Sequence, residues 1–210
     1  MNSTIGRTRP VRVAVVATAA LLLLAGCGGG GDSEGHQGSG AASPSVSGAA
    51  SDGAHNAQDV SFAQGMIPHH RQAVEMAALA AERASSPQVK ALAGRIKQAQ
   101  DPEIETMSGW LTAWGEDVPA AGEDHSGHSG MSGMAGMMSG TDMTALEKAS
   151  GAEFDAQFTR MMIEHHEGAV EMAGTEKAKG RYAPALTMAD AIIAAQNAEI
   201  AEMKGLLGKK

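Results

Sequence analysis

The chain has 210 residues, enough for one domain with tails, and its formal net charge of −8 excludes nucleic acid as a natural partner. Hydrophobic residues make up 43% but aromatics only 3%. Ala, Met and Gly fill the difference, which suits closely packed helices and excludes a β-sandwich, where β-branched and aromatic side chains would be needed.

In chain order, Arg7, Arg9 and Arg12 precede an apolar run from Val13 to Leu24, which ends in "LAGC" with Cys27, the only cysteine. A basic start, a short apolar run and small residues at the cut predict a secretory signal over residues 1–26. The run is short for a membrane span, and one cysteine allows no disulfide within the chain. The "LAGC" ending resembles the lipobox of bacterial lipoproteins, which implies that Cys27 becomes the lipidated first residue of a mature, extracytoplasmic, membrane-anchored protein. Residues 27–57 read as a flexible Gly/Ser/Ala tether that cannot bury a core.

The body, residues 58–207, is a duplication at an offset of 96 residues. Phe62, Met66, Ile67, His69, His70, Ala73, Val74, Glu75, Met76 and Ala77 recur as Phe158, Met162, Ile163, His165, His166, Ala169, Val170, Glu171, Met172 and Ala173. The same register pairs Ile96, Gln100, Glu103, Ile104 and Met107 with Ile192, Gln196, Glu199, Ile200 and Met203, so a unit has been copied. Each unit, 58–118 and 144–207, reads as a helical hairpin. The first helix is predicted over Gln58–Arg83. The second starts at Pro87 behind the N-cap Ser86 and ends near Trp114. "TALE" (Thr144–Glu147) reads as a capping box opening a short lead-in. The third and fourth helices are predicted over Phe154–Lys179 and Pro184–Leu207. Two hairpins give an all-α, up-down, ferritin-like four-helix bundle. Pro68 and Pro102, replaced in the second copy by Glu164 and Ala198, are expected to kink their helices or re-set their starts.

On a helical wheel with Met66 at the origin, His70, Ala73 and Ala77 fall within about 40° of it, and His69 and Met76 within about 80°. Both histidines and both methionines therefore share the core-facing stripe, while Pro68 and Glu75 are predicted to point outward. The second copy repeats the wheel with His165, His166, Met162 and Met172 inside. On the second helix of each hairpin, Gln100 and Glu103, and likewise Gln196 and Glu199, also face inward. A buried carboxylate needs a partner, and the histidines are at hand. Met stripes are ordinary core filling, and an inward His is ordinarily a hydrogen-bonded core residue. Adjacent inward histidines in two helices, with inward Glu opposite, point instead to a metal site.

The joining segment, 122–143, is rich in Gly and Ser, which argues against a packed element. His125, His128, Met131, Met134 and Met137 recur at every third position, followed by Met138 and Met143. With no apolar face to fill, these methionines read as ligands. Thioether and imidazole together favour copper, Cu(I) above all, with Ag(I) and Cu(II) as further candidates, and disfavour zinc.

The segments "FAQGMIPHHRQAVEMA" and "FDAQFTRMMIEHHEGAVEMA", with the "Q..EI..M" elements, resemble the family called domain of unknown function 305. The resemblance covers about residues 55–207. It implies a fold similar to ferritin-like bundles, and a function among extracytoplasmic copper-binding proteins linked to copper tolerance. The implied copper ligands are His69, His70, His165, His166 and nearby Met. Gly65 departs from the pattern, since the second copy has Met161 there. The leading expectation is thus a membrane-tethered copper-binding protein that buffers, tolerates or transfers the metal. A ferritin-like metal-dependent oxidase is the enzymatic alternative, although the Glu-x-x-His of di-metal bundles is absent from the chain. A stress-related scaffold whose inner polar residues fix helix register is the third.

Overall fold

The computed structural model describes residues 54–120 and 134–208. Cys27, His125, His128 and Met131, with the signal over 1–26 and nearly all of the tether, lie outside the described residues. The described chain is all-helical: α1 (Ala57–Arg83), α2 (Pro87–Trp114), α3 (Gly140–Lys148), α4 (Gly151–Lys179) and α5 (Ala183–Leu207). No described helix is long and apolar enough to cross a membrane.

Local chemistry sets the ends. Asn56 caps α1 by accepting from the Gln58 and Asp59 amides, and the Asp59 carboxylate closes the box on the Asn56 N–H. Ser86 caps α2 with Pro87 in its first turn, and Gly115, at φ 74°, ends it in the left-handed conformation. The lead-in helix starts earlier than "TALE" suggests. Ser139 and Asp142 form the capping box, and Thr144–Glu147 falls inside α3. Neither proline re-sets a helix: Pro68 lies within α1 and Pro102 within α2. Pro68 is also buried rather than outward. The two-sided wheel therefore misplaces it.

α1 packs on α2 and α4 on α5, and the hairpins meet through α1 against α4. Two apolar clusters fill the interior. One takes Met76, Leu92, Ile96, Phe154, Phe158, Met162 and Met203. The other takes Phe62, Met66, Ile67, Met107, Leu111, Ala169 and Ile192. Burial of each large side chain contributes about 1.5–3 kcal/mol. All four long helices cross from one cluster to the other at a polar step: His69 and His70 in α1, Gln100 and Glu103 in α2, His165 and His166 in α4, Gln196 and Glu199 in α5. The duplication thus builds a polar layer across the middle of the bundle.

The hairpins are also clasped at their turns. The Asp155 carboxylate of α4 accepts the Ser85 and Ser86 amides, at 3.1 and 2.9 Å, in the α1–α2 turn. Its repeat equivalent Asp59 in α1 accepts the Arg181 and Tyr182 amides, both at 2.9 Å, in the α4–α5 turn. Each hairpin holds the other's corner, and the two carboxylates satisfy backbone donors at exposed and half-buried turn residues. The symmetry breaks behind Asp59. Glu176 is fully buried there, whereas its repeat equivalent, Ala80, is apolar. Gly180 admits the Glu176 carboxyl, because a Cβ at residue 180 would stand 2.2 Å from Glu176 Oε1.

Candidate metal centre

The central layer is built from residues that the helical periods turn inward. His69, His70, His165 and His166 are 0–1% exposed. The His69 and His165 rings meet across the α1–α4 interface with centroids 3.8 Å apart and planes inclined at 44°. The outer member of each pair turns to its own hairpin. His70 Nε2–H donates to Glu103 Oε2 at 2.8 Å, and His166 Nε2–H to Glu199 Oε2 at 2.7 Å. Glu103 and Glu199 are not interior residues as the wheel predicts. Their side chains keep 23% and 18% of their exposure, with each carboxylate reaching in from the rim while water solvates the rest.

His69 Nε2–H donates to the carbonyl of Ala135 in the joining segment, at 3.2 Å. Its Nδ1 is then the ring's lone-pair nitrogen, and it has no partner. The Nδ1 atoms of His70 and His166 are likewise unpartnered, as are both ring nitrogens of His165 and the Oε1 atoms of Gln100 and Gln196. A buried polar atom without a partner costs about 1–3 kcal/mol. Burial and then the neighbouring imidazoles push the His69 pKa down to about 3 and hold that of His165 well below its usual value. Both rings are therefore neutral in neutral and mildly acidic solution, the form that binds a metal.

This donor set fits a soft, monovalent ion. Among the described residues no three His, Cys, Asp or Glu side chains converge on one point, as a zinc site would require. Two neutral imidazoles facing each other would suit a low-coordinate Cu(I) or Ag(I) ion. Met66, Met76 and Met162 are fully buried within the apolar clusters, and Met172 is half-buried.

The joining segment supplies what the helices do not. Residues 134–138 lie half-buried along α1 and α4, contrary to an unpacked spacer. Met143 is a core residue and Met138 packs against the same cluster, so these two do have an apolar face to fill. Gln72 grips the segment through paired bonds, accepting the Met138 N–H at 2.8 Å and donating to the Met138 carbonyl at 2.9 Å. Gly136 sits at φ 78°, where a side chain would be strained, and a Cβ there would stand 2.7 Å from the Glu164 carbonyl. Opposite, a Cβ on Gly168 would stand 2.1 Å from the Ala135 carbonyl oxygen. Gly136 and Gly168 thus let segment and helix backbone meet above His165. Met137, Met138 and Met161 line a cleft of about 320 Å³ beside them with Gln157, Arg160 and Glu164.

Gly168→Ala should therefore lift the segment without unfolding the bundle. The new methyl favours helix by about 1 kcal/mol but leaves no room for the Ala135 carbonyl. Amide hydrogen exchange at residues 136–138 should accelerate at least tenfold while that of α4 is unchanged; unaltered protection at 136–138 would contradict this account of the contact.

Wheel and spacing pick out the histidines and methionines. They do not find the Ala135 carbonyl, Gln72, Gly136, Gly168 or the Asp59 and Asp155 clasps. One signal does exist in the sequence. Gln72 and Gly168 are repeat-equivalent positions where the copies differ, and so are Gly65 and Met161. The segment lies on all four.

The profile of DUF305, Domain of unknown function (DUF305), matches residues 59–207. A search of curated proteins finds no match. Among solved structures, the chain is similar to a DUF305 protein from Streptomyces coelicolor described as secreted, at 29% identity and TM-score 0.65, covering 76% of this chain and 95% of that one. It is similar to CopM in its Cu(I)-bound form at 35% identity and TM-score 0.57, covering 70% of this chain and 94% of that one. To the Cu(II)-bound form of CopM the values are 39% and 0.61, with the same coverage. The duplicated hairpins, the paired histidines on facing helices and the profile over most of the chain agree: this protein belongs to the DUF305 family.

Proposed function

We propose that this protein is an extracytoplasmic copper-binding protein, tethered to the membrane through a lipid on Cys27, which takes Cu(I) as cargo for buffering, tolerance or transfer. The observation that carries the reading is the set of unpartnered nitrogens on four buried histidines, above all His165, with neither nitrogen bonded and its ring against His69. A polar layer kept only for helix register would pair these atoms. CopM, similar over most of the folded domain, is known in Cu(I)-, Cu(II)- and Ag-bound forms, which supports the same class of ion here. His69 and His165 would hold the ion. His70 and His166, oriented by Glu103 and Glu199, would be the next donors inward from the rim. Met66, Met76, Met162 and Met172 stand on the same two helices, above and below. His125, His128 and Met131, with Met134, Met137 and Met138, would capture the ion at the surface, where neutral thioethers exchange it without a proton.

The test is a competition titration of the mature chain with a Cu(I) chelator. The wild type should remove Cu(I) from the chelator, and the His69→Leu/His165→Leu variant should bind one ion fewer. Equal stoichiometry and affinity in the two proteins would sink the core site.

A further inference from the structure

Above His69 and His165 the segment carries a thioether to each flank, and on one flank it completes a pair. The second copy has a methionine of its own at Met161, buried beside Met137 and Met138. The first copy has Gly65 at that position, and the vacant volume is filled from two other elements. The Met172 methyl carbon of α4 lies 3.1 Å, and the Met134 methyl carbon of the segment 3.5 Å, from the point where a residue-65 Cβ would stand. Two thioethers from distant parts of the chain thus converge over one glycine, a single helical turn from His69. Met134 occupies the place that a methionine at position 65 would take.

We propose that Met134 and Met172 form an outer two-thioether site for a monovalent soft cation, Cu(I) or Ag(I), separate from the histidine pair and built by the docking of the joining segment. The donors are neutral and polarisable, so they suit a low-charge soft ion and offer nothing to Mg²⁺, Ca²⁺ or Zn²⁺. Gly65 leaves that room open, since a Cβ there would press on the Met172 methyl at 3.1 Å and touch the Met134 methyl at 3.5 Å. The segment that supplies Met134 also supplies the Ala135 carbonyl bound to His69, so the ion would wait one residue from the hydrogen bond that fixes the His69 ring and leaves its Nδ1 free. This site rests on reading the bundle as a soft-metal protein, and it assigns a place of entry to that reading.

The experiment is residue-resolved NMR of the full mature chain carrying [methyl-13C]methionine, titrated with Ag(I) in chloride-free buffer. The Met134 and Met172 methyl resonances should shift together and saturate together, while those of Met107 and Met203, buried elsewhere, stay still. Met172→Leu, close in volume, should abolish the Met134 shift at the same Ag(I) concentration, and Gly65→Leu, whose side chain would enter the space that both methyls occupy, should weaken the shared transition by about tenfold or more. Methyls of Met134 and Met172 that do not respond, or a Met134 shift that survives Met172→Leu, would overturn the proposal. Imidazole resonances recorded in the same titration keep the two readings apart. Histidine shifts with silent methyls would remove the outer site and leave the core one. Paired methyl shifts with silent histidines, persisting in His69→Leu/His165→Leu, would uphold the outer site alone.

Discussion

The metal-free His69→Leu/His165→Leu variant should be at least as stable as the wild type, and it should lose the stabilisation that Cu(I) confers. The expectation follows from the cost side of the central layer. Three nitrogens of these two rings are buried without a partner, and each such atom costs about 1–3 kcal/mol. Leucine brings apolar volume to a place already flanked by two apolar clusters. Against this, the variant gives up one 3.2 Å hydrogen bond to the Ala135 carbonyl, a net contribution of about 1 kcal/mol. The balance predicts a metal-free melting temperature no lower than the wild type's, each 1 kcal/mol of net gain being worth roughly 2–4 °C in a domain of this size. With Cu(I) at a hundred times the dissociation constant, the wild type should gain about 2.7 kcal/mol and the variant nothing from this site. Differential scanning calorimetry with and without Cu(I) reads both effects. A variant melting well below the wild type, with its Cu(I) response intact, would mean that the histidines serve packing and register.

Stability should fall as pH rises from about 6 to 9, and Glu176→Gln should remove that decline. Burial first, then the neighbouring Asp59, raise the Glu176 pKa from 4.5 to about 8. For Asp59 burial alone would act upward, but the bonds from Glu176 and from the Tyr182, Asn56 and Arg181 amides outweigh it and lower the pKa. Asp59 is thus the anion that holds the backbone donors, and Glu176 the buried acid kept neutral beside it. A folded-state pKa above the unfolded one means that the native state holds the extra proton. The contribution is complete below about 4.5 and is lost as pH climbs through 8. Between pH 6 and 8 that amounts to about 2 kcal/mol, because the slope of 1.36 kcal/mol per pH unit falls by half as pH reaches the folded pKa. The lowered pKa of His69 works on the acid side with the opposite sign. The native ring refuses the proton that the unfolded one accepts, so stability is present above 6.5 and lost as pH falls toward about 3. Urea unfolding from pH 5 to 9 should therefore show a descending alkaline limb in the wild type and a flat one in Glu176→Gln, whose amide is neutral at every pH. An identical alkaline limb in both proteins would show that Glu176 does not hold the proton.

Helical periodicity and the 96-residue duplication determine a good deal without coordinates. They fix four long helices in two hairpins, the N-cap Ser86 with Pro87 after it, and the inward direction of the four histidines and of Gln100 and Gln196. These are properties of a single helix, and a single helix obeys its own 100° step wherever it packs. How helices meet each other is not local. That His69 faces His165 while His70 and His166 turn to Glu103 and Glu199, that those carboxylates stay at the rim, and that Pro68 is buried all depend on which helices are neighbours and how they cross. The clasps of Asp59 and Asp155 join residues more than sixty positions apart and leave no periodic trace.

The joining segment shows the division most clearly. Its composition hides its packing, because Gly and Ser read as spacer whether or not a helix lies beneath them. Gly136 and Gly168 matter for a close approach of two backbones, which only the folded chain brings about. The duplicated sequence dictates a symmetric interior; the tertiary structure decides where that symmetry is broken, at Gly65, Gln72 and Gly168, because one asymmetric segment has to be seated across two equivalent helices.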